Sequence, residues 1–422
     1  MLADNGGMRV LVSVMPFAGH VAPLSGVVAE LLARGHEVTV YSGSRYRQRF
    51  EALGARFVPW QAAPDFDEHN LSRTFPQVGR AGARGLLANL EYLFIRSAEG
   101  QARDLLDELA HTRYDLLAGD VMSLGCSIAA EVSDVPWATV SIVPLSLPSR
   151  DLPPMGLALH PGRGRLGHLR DAVLRGVLGR FTGRLDRALD EVRASHGLPR
   201  TALATAWYSP TLVITTGSRS IEYPRADLGN QFHFVGRILP AGAVVTEIAS
   251  AAPPHPARVL VTQGTFNTEP SELLQPTLRA LSSRPVTVLA TTGRTGVVDV
   301  GMPVPANARV VDLARFDLEL ATTAIAITNG GWGGVLEMLA AGVPLIVAGG
   351  DLDKPEIAAR VGWSGAGIDL RTGRPTAAAV GKAVDRLLAD PRYRERAQII
   401  ARELRSLGGT ATAVDLLEAL VR

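Results

Sequence analysis

AITNGGWGGVLEMLAAGVP, residues Ala326–Pro344, contains an apolar run that stops at Asn329, four glycines around Trp332, and an apolar helical pattern that starts at once. A strand running straight into a Gly-rich turn and a helix is a way to hold an anion. Backbone N–H groups of a first helical turn lack intrahelical acceptors, and the helix dipole favours negative charge there. Glycines reach positive φ and let a ligand approach the main chain closely. One or two glycines suffice for a tight turn. Here Gly330, Gly331, Gly333 and Gly334 fill four of five positions, with polar Asn329 at the lip, and they point to a phosphate cradle.

Upstream, the same strand-to-helix rhythm begins at Arg258–Thr262 (RVLVT) and continues through Val286–Thr291, Ala308–Asp312 and Ala324–Thr328 to Val343–Ala348. An earlier series opens on Met8–Met15 (MRVLVSVM), followed by PFAGHVAP, the helical pattern LSGVVAELLARG and the strand HEVTVYSG. Further strands are expected at Ala55–Pro59, Asp115–Ala118, Trp137–Ser141 and Leu212–Thr215, with helices at Leu86–Ala110 and Gly125–Val132. Strands alternating with helices imply parallel sheets covered on both faces. The Pro- and Ala-rich stretch ASAAPPHP separates the two series. The expected division is an N-terminal domain over 1–239, a linker over 240–257, a C-terminal domain over 258–401, and a helical tail over 402–422 that crosses back to the first domain. Ligands of open α/β sheets bind beyond the carboxyl ends of the strands, so a cleft between the domains is the expected site.

Composition narrows the function. The chain of 422 residues is 46% hydrophobic and 20% charged, with formal charge +2 and basic residues spread along it, which argues against nucleic acid as a partner. Cys126 is the single cysteine, so no internal disulfide forms and a cytoplasmic location is expected; its apolar setting LGCSIAAEV marks a buried structural thiol. No stretch is long and charge-free enough for stable membrane insertion, and the first residues lack a signal-peptide layout. Asp151–Asp171 holds three prolines, four glycines and three arginines and reads as a surface insertion. Within it GRGRLG, Gly162–Gly167, matches the dinucleotide fingerprint letter for letter, but no strand pattern precedes it. A nicotinamide dehydrogenase is therefore poorly supported.

Three stretches then carry a resemblance: GHVAP at 19–23, NGGWGGVLE at 329–337 and GVPLIVAGGDLDKPE at 342–356. They resemble family 1 glycosyltransferases of the two-domain GT-B fold, which include bacterial macrolide-type and plant natural-product enzymes, and the likeness runs over essentially the whole chain. What it implies is inverting transfer of a sugar from a nucleotide diphosphate, with two Rossmann-like domains facing a central cleft. Asn329 and the amides of Gly330–Gly334 would lie against the diphosphate, and Glu337 would accept from the ribose hydroxyls. Gly264 and Thr265, after Gln263, look like the family's second phosphate loop. Arg315 or Phe316 would lie beside the base, and Asp353 would accept from the sugar. Simpler roles stay open: Glu337 as a first-turn acid, Thr265 as a turn residue, Phe316 as core, Trp332 as packing under the loop.

The catalytic pair follows from the same comparison. His20 stands just after the first strand, where an imidazole with an ordinary pKa of about 6.5 can take a proton from an acceptor hydroxyl. Asp120 ends the strand YDLLAGD at the same sheet edge and would orient the ring and stabilise the imidazolium. The family's His–Asp dyad has similar spacing. Phe17, Phe66, Phe75 and Phe94 are candidates for an apolar acceptor wall.

Some positions depart from the family pattern. Asn329 replaces a histidine and Gly334 a hydroxyl donor, which implies weaker donor binding, and Lys354 replaces a glutamine. Lys354 would engage the diphosphate or sugar, or else pair with Glu356. Asp351 and Asp353 spell D-x-D, a metal motif of another transferase fold; amides and a dipole can neutralise phosphate here, so no cofactor and no essential metal are expected. The donor implied is a dTDP- or UDP-sugar, and the acceptor a hydrophobic natural product such as a polyketide. The oligomeric state, a homodimer included, stays open. Rival readings are a sugar-nucleotide epimerase on the same fold and a non-catalytic activator of another transferase.

Overall fold

The computed structural model describes residues 7–79, 82–243, 255–264 and 269–422. Among the described residues thirteen strands form two sheets, all of whose strand pairings are parallel. The first sheet is built from β1 (Arg9–Ser13), β2 (Glu37–Ser42), β3 (Arg56–Pro59), β4 (Leu116–Asp120), β5 (Trp137–Ser141), β6 (Val213–Thr215) and β7 (Phe232–Phe234), in the order 3-2-1-4-5-6-7. The second takes β8 (Ala257–Thr262), β9 (Val286–Thr291), β10 (Ala308–Val311), β11 (Ile325–Thr328), β12 (Leu345–Val347) and β13 (Gly367–Asp369), in the order 10-9-8-11-12-13. Both orders reverse between two adjacent central strands, β1 and β4 in one half, β8 and β11 in the other. Such a switch point opens a crevice beyond the carboxyl ends of those two strands.

These central strands are continuous apolar runs because both of their faces are covered; Val10, Leu11 and Val12 are fully buried, as are Val259, Leu260 and Val261. Their register places the candidate residues. Ser13 lies level with Gly119, so Asp120 emerges where β1 hands over to the PFAGH turn. Thr262 lies level with Thr328, so Gln263 and Asn329 leave the second sheet side by side.

Several elements differ from expectation. The edge strands β7 and β13 have three residues each, too short for a periodic signal. The helix expected over Leu86–Ala110 is three pieces: Gly82–Ala88, a π-helical Asn89–Ile95 and Ser97–His111. Asp151–Asp171 is no free surface insertion. Glu356 in the second half accepts from Gly156 N and Ala158 N at 2.8 Å each, and His160 Nε2 reaches Ala359 O at 3.0 Å. The GRGRLG stretch opens the 32-residue helix Gly164–Ser195 with an extended loop, not a strand, before it.

Helix Arg392–Ser406 sends Ala397, Ile400 and Leu404 into the second domain's core beside Trp332–Ala340. The chain then turns at Gly408 and Gly409, with φ +78° and +62°. A Cβ at Gly409 would lie 2.4 Å from Arg237 O, so the crossing needs glycine for space as well as conformation. Beyond it, helix Gly409–Val421 puts Ala413, Val414 and Leu417 into the first domain's core. Of the expected linker, residues 244–254 lie outside the described residues.

Candidate active site

His20 sits in the first turn of helix Ala18–Ala33, which starts earlier than the LSGVV pattern suggests and carries Pro23 inside it. Its Nδ1 lies 2.7 Å from Asp120 Oδ2. The rest of the Asp120 carboxylate is also engaged: Oδ2 accepts from Met15 N at 3.2 Å and Oδ1 from Met122 N at 2.9 Å. With three donors fixing it and 2% exposure, Asp120 has no rotational freedom to lose. An ionised carboxylate can only accept, so Nδ1 carries the hydrogen and Nε2 keeps its lone pair. Burial disfavours a charged His20, but the Asp120 charge and hydrogen bond, with smaller help from Asp353 and Glu68, lift its pKa above the ordinary imidazole value. The contribution of Asp353 matters structurally, because that residue belongs to the second half. It stands at the N-cap position of helix Lys354–Ser364 with no side-chain cap hydrogen bond, and its carboxyl is pushed up by burial against the opposing charges of His20 and Lys354.

The Gly-rich turn has the form its sequence suggests. Gly331 is the N-cap of helix Trp332–Ala340 and no side chain caps it. A Cβ on Gly331, Gly333 or Gly334 would meet nothing within 4 Å, and the first amides of the helix have no intrahelical acceptor. Gly330 differs: its φ is +92°, and a Cβ there would lie 2.9 Å from Val347 Cγ1. Asn329 bends across Gly264, 3.6 Å from where a Cβ would stand, and its Nδ2 donates to Gln263 O. Gly264 takes φ +72°. Thr265 lies outside the described residues. Lys354 does not pair with Glu356: its Nζ bonds Asp351 Oδ1 at 2.7 Å, while Glu356 bonds Arg360.

Comparison with known proteins now bears on this geometry. Residues 286–420 match the family model described as "Erythromycin biosynthesis protein CIII-like, C-terminal domain". The chain is 38% identical to 4'-demethylrebeccamycin synthase of Lentzea aerocolonigenes, over 98% of this chain and 100% of that protein. The chain belongs to the family 1 glycosyltransferases. A UDP-glucosyltransferase of Beauveria bassiana is 28% identical, over 95% of this chain and 93% of its own. The solved glycosyltransferase of kitacinnamycin shares the fold at a TM-score of 0.75 with 22% identity, over 99% of both chains. The architecture is thus the GT-B fold, two Rossmann-like domains with facing sheets.

In this transferase the remaining candidates fall into groups. Phe17 is half-buried with its ring 5.6 Å from the His20 ring, 5.1 Å from Phe66 and 6.1 Å from Phe94. Phe66 and Phe75 stand behind it as buried core. Phe94 owes its place to the π-helical segment. Phe316 leans on the second core, whereas the Arg315 guanidinium is turned out to solvent and paired with Asp317. Glu337, half-buried, is held above the usual carboxyl range by burial, although Arg237 of the first domain lies 3.5 Å away and opposes the shift.

Four features of the transferase had no signal in the sequence. Glu68 Oε2 accepts from Ala18 N at 3.0 Å and so anchors the turn that carries His20. Trp332 Nε1 donates to Thr216 Oγ1 across the domains at 2.9 Å. Arg237 pairs with Glu337. Arg360, 1% exposed, bonds Glu222 Oε1 at 3.1 Å, Glu356 Oε2 at 3.1 Å and Leu145 O at 3.1 Å, pinning the second domain onto the first. Apart from the i,i+4 Arg360–Glu356 pair, each joins residues far apart in the chain, and no spacing rule reaches that far. Cys126 is buried, which pushes its thiol up to about 12 and makes it unreactive.

Proposed function

We propose that this glycosyltransferase moves a sugar from a dTDP- or UDP-sugar to a hydroxyl of a hydrophobic natural-product acceptor, with inversion and with His20 as general base. The observation that carries the reading is the 2.7 Å His20–Asp120 contact at the mouth of the first sheet, with the Asp353 charge of the second half acting on the same ring. Rebeccamycin synthesis, in the name of the 38%-identical relative, supports the acceptor class. The UDP-glucosyltransferase name supports a nucleotide-sugar donor. The half-buried Phe17 ring beside His20 supports an apolar acceptor.

The chemistry needs few parts. His20 Nε2 takes the acceptor O–H proton as the oxygen attacks C1 of the sugar. The C1–O bond to the diphosphate breaks on the opposite face, and the nucleoside diphosphate leaves with the electron pair. Asp120 stabilises the imidazolium that forms. Amides of Gly331–Gly334 stabilise charge growing on the leaving phosphate, with Asn329, Gly264 and Thr265 around it. Glu337 accepts from the ribose, Phe316 or Arg315 flanks the base, and Asp353 and Lys354 address the sugar. No metal is needed in this scheme, because amides and the dipole meet the diphosphate charge.

The test is calorimetric titration of UDP, dTDP and GDP into the protein with chelator present, followed by anomeric analysis of a product. Base-selective binding that survives chelation, and a product of inverted configuration, are expected. Failure of all three nucleotides to bind would remove the cradle reading; a retained configuration would remove the single-displacement reading.

A further inference from the structure

We propose that the first half of helix Gly164–Ser195 lays the protein against an anionic lipid surface. Leu166, Leu169, Val173 and Val177 are 83%, 60%, 56% and 46% exposed. They are spaced by three, four and four residues, so they line one face of the helix. Single exposed leucines are ordinary, but four in a row form a stripe that needs a cover. The other half of the helix is occupied: Leu185, Ala188, Leu189 and Val192 are buried in the cluster that also packs Phe94 and Trp207. One end is therefore anchored in the first domain while the other presents apolar side chains to water.

Charge identifies the cover. Arg165, Arg170, Arg175, Arg180 and Arg184 fall between Gly164 and Leu185, and Asp171 is the single acid in that span. Asp171 is 1% exposed and holds Gly162 N and the Arg170 guanidinium, a pair that is neutral as a unit, and Arg184 pairs with Glu91, so among the described side chains Arg165 and Arg175 carry the charge that no acid matches. At about 100° per residue, Arg165 and Arg170 fall on opposite edges of the stripe. An apolar stripe rimmed by arginines on an in-plane helix is the pattern of interfacial membrane contact. A second copy fits less well, because a two-fold contact would bring these arginines against their own equivalents. No described helix is long and apolar enough to cross a membrane, so the contact is with the surface only. The proposal stands apart from the transfer chemistry and uses none of its residues.

The experiment is co-sedimentation of the full chain with vesicles of phosphatidylcholine alone and of phosphatidylcholine mixed with phosphatidylglycerol. Binding is expected on the anionic vesicles, little on the neutral ones, and less in high salt. Leu166→Asp with Leu169→Asp should cut the bound fraction by about tenfold or more at an unchanged melting temperature, since both side chains are exposed in the free protein. Arg165→Glu should weaken binding as well. Wild-type protein that stays in the supernatant with anionic vesicles overturns the proposal, as does a double variant that binds as well as wild type. A wild-type dimer in light scattering that the double variant converts to monomer, with no vesicle binding, would make the stripe a self-interface and also overturn it.

Discussion

Trp332 donates its indole N–H to Thr216 at 2.9 Å, and Gly217 lies so close beneath the ring that a Cβ there would come within 2.9 Å of it. Trp332 is the first residue of the helix whose amides form the proposed cradle. The first domain therefore holds the N-terminus of that helix. Replacing Trp332 by Phe keeps most of the packing and removes the hydrogen bond, a net loss of about 0.5–1.5 kcal/mol. Nucleotide affinity should fall by about threefold to tenfold in Trp332→Phe, measured by calorimetry, and Thr216→Val should reproduce the loss. Equal affinity in both variants would mean that Trp332 only fills space.

The raised His20 pKa gives activity and stability opposite pH trends. The base must be deprotonated, so the acid limb of kcat/KM should lie above 6.5, the ordinary imidazole value. The stability that His20 draws from Asp120 is fully present below the unfolded-state pKa and is lost as pH rises through the folded one. In Asp120→Asn the supporting charge is gone and burial is left to dominate. Its acid limb should move below the wild-type position, and kcat should fall by about 100-fold or more. An unmoved limb would show that another group titrates.

Gly330 and Gly334 predict opposite responses to an added side chain. A Cβ on Gly334 meets open space, so Gly334→Ser fits and adds a hydroxyl at the proposed phosphate cradle. Donor affinity should rise by about twofold to tenfold, the worth of one hydrogen bond. Gly330→Ala must strain a residue at φ +92° and push against Val347. It should lower the melting temperature and weaken nucleotide binding together, read by a thermal melt and calorimetry.

Arg360 is buried with Glu222 and Glu356 at 3.1 Å each, so truncation takes the cation from Glu356 and the nearer of two cations from Glu222, whose other, Arg225, lies at 3.5 Å. Arg360→Ala should destabilise the protein by about 3–5 kcal/mol in denaturant unfolding. A loss under about 1 kcal/mol would mean that water screens the site.

How much of this was legible in the sequence follows from the range of each interaction. The four strands at the two switch points are apolar runs, with Asp120 closing one, Gly264 and Asn329 just past two others and His20 in the helix that follows the first, so the fold and these candidate positions could be read locally. Lys354 shows the limit of that approach. Pairing with Glu356 fits the sequence by proximity, but residues two apart on a helix do not share a face. Lys354 turns to Asp351, and Glu356 turns to Arg360 and the Gly156–Ala158 loop. Glu68 at the His20 turn, Thr216 on Trp332 and Arg237 on Glu337 are likewise set by tertiary packing. The π-helical turn that places Phe94 has no compositional mark at all.

The central claim is that His20 removes the acceptor proton while the second domain holds the donor. It is tested most directly by comparing His20→Ala with wild type in one preparation, measuring nucleotide Kd by calorimetry and sugar transfer by product formation. A Kd within about twofold of wild type is expected, with kcat lowered by about 100-fold to 10,000-fold, the usual range for a lost general base. Transfer at the wild-type rate in His20→Ala would contradict it.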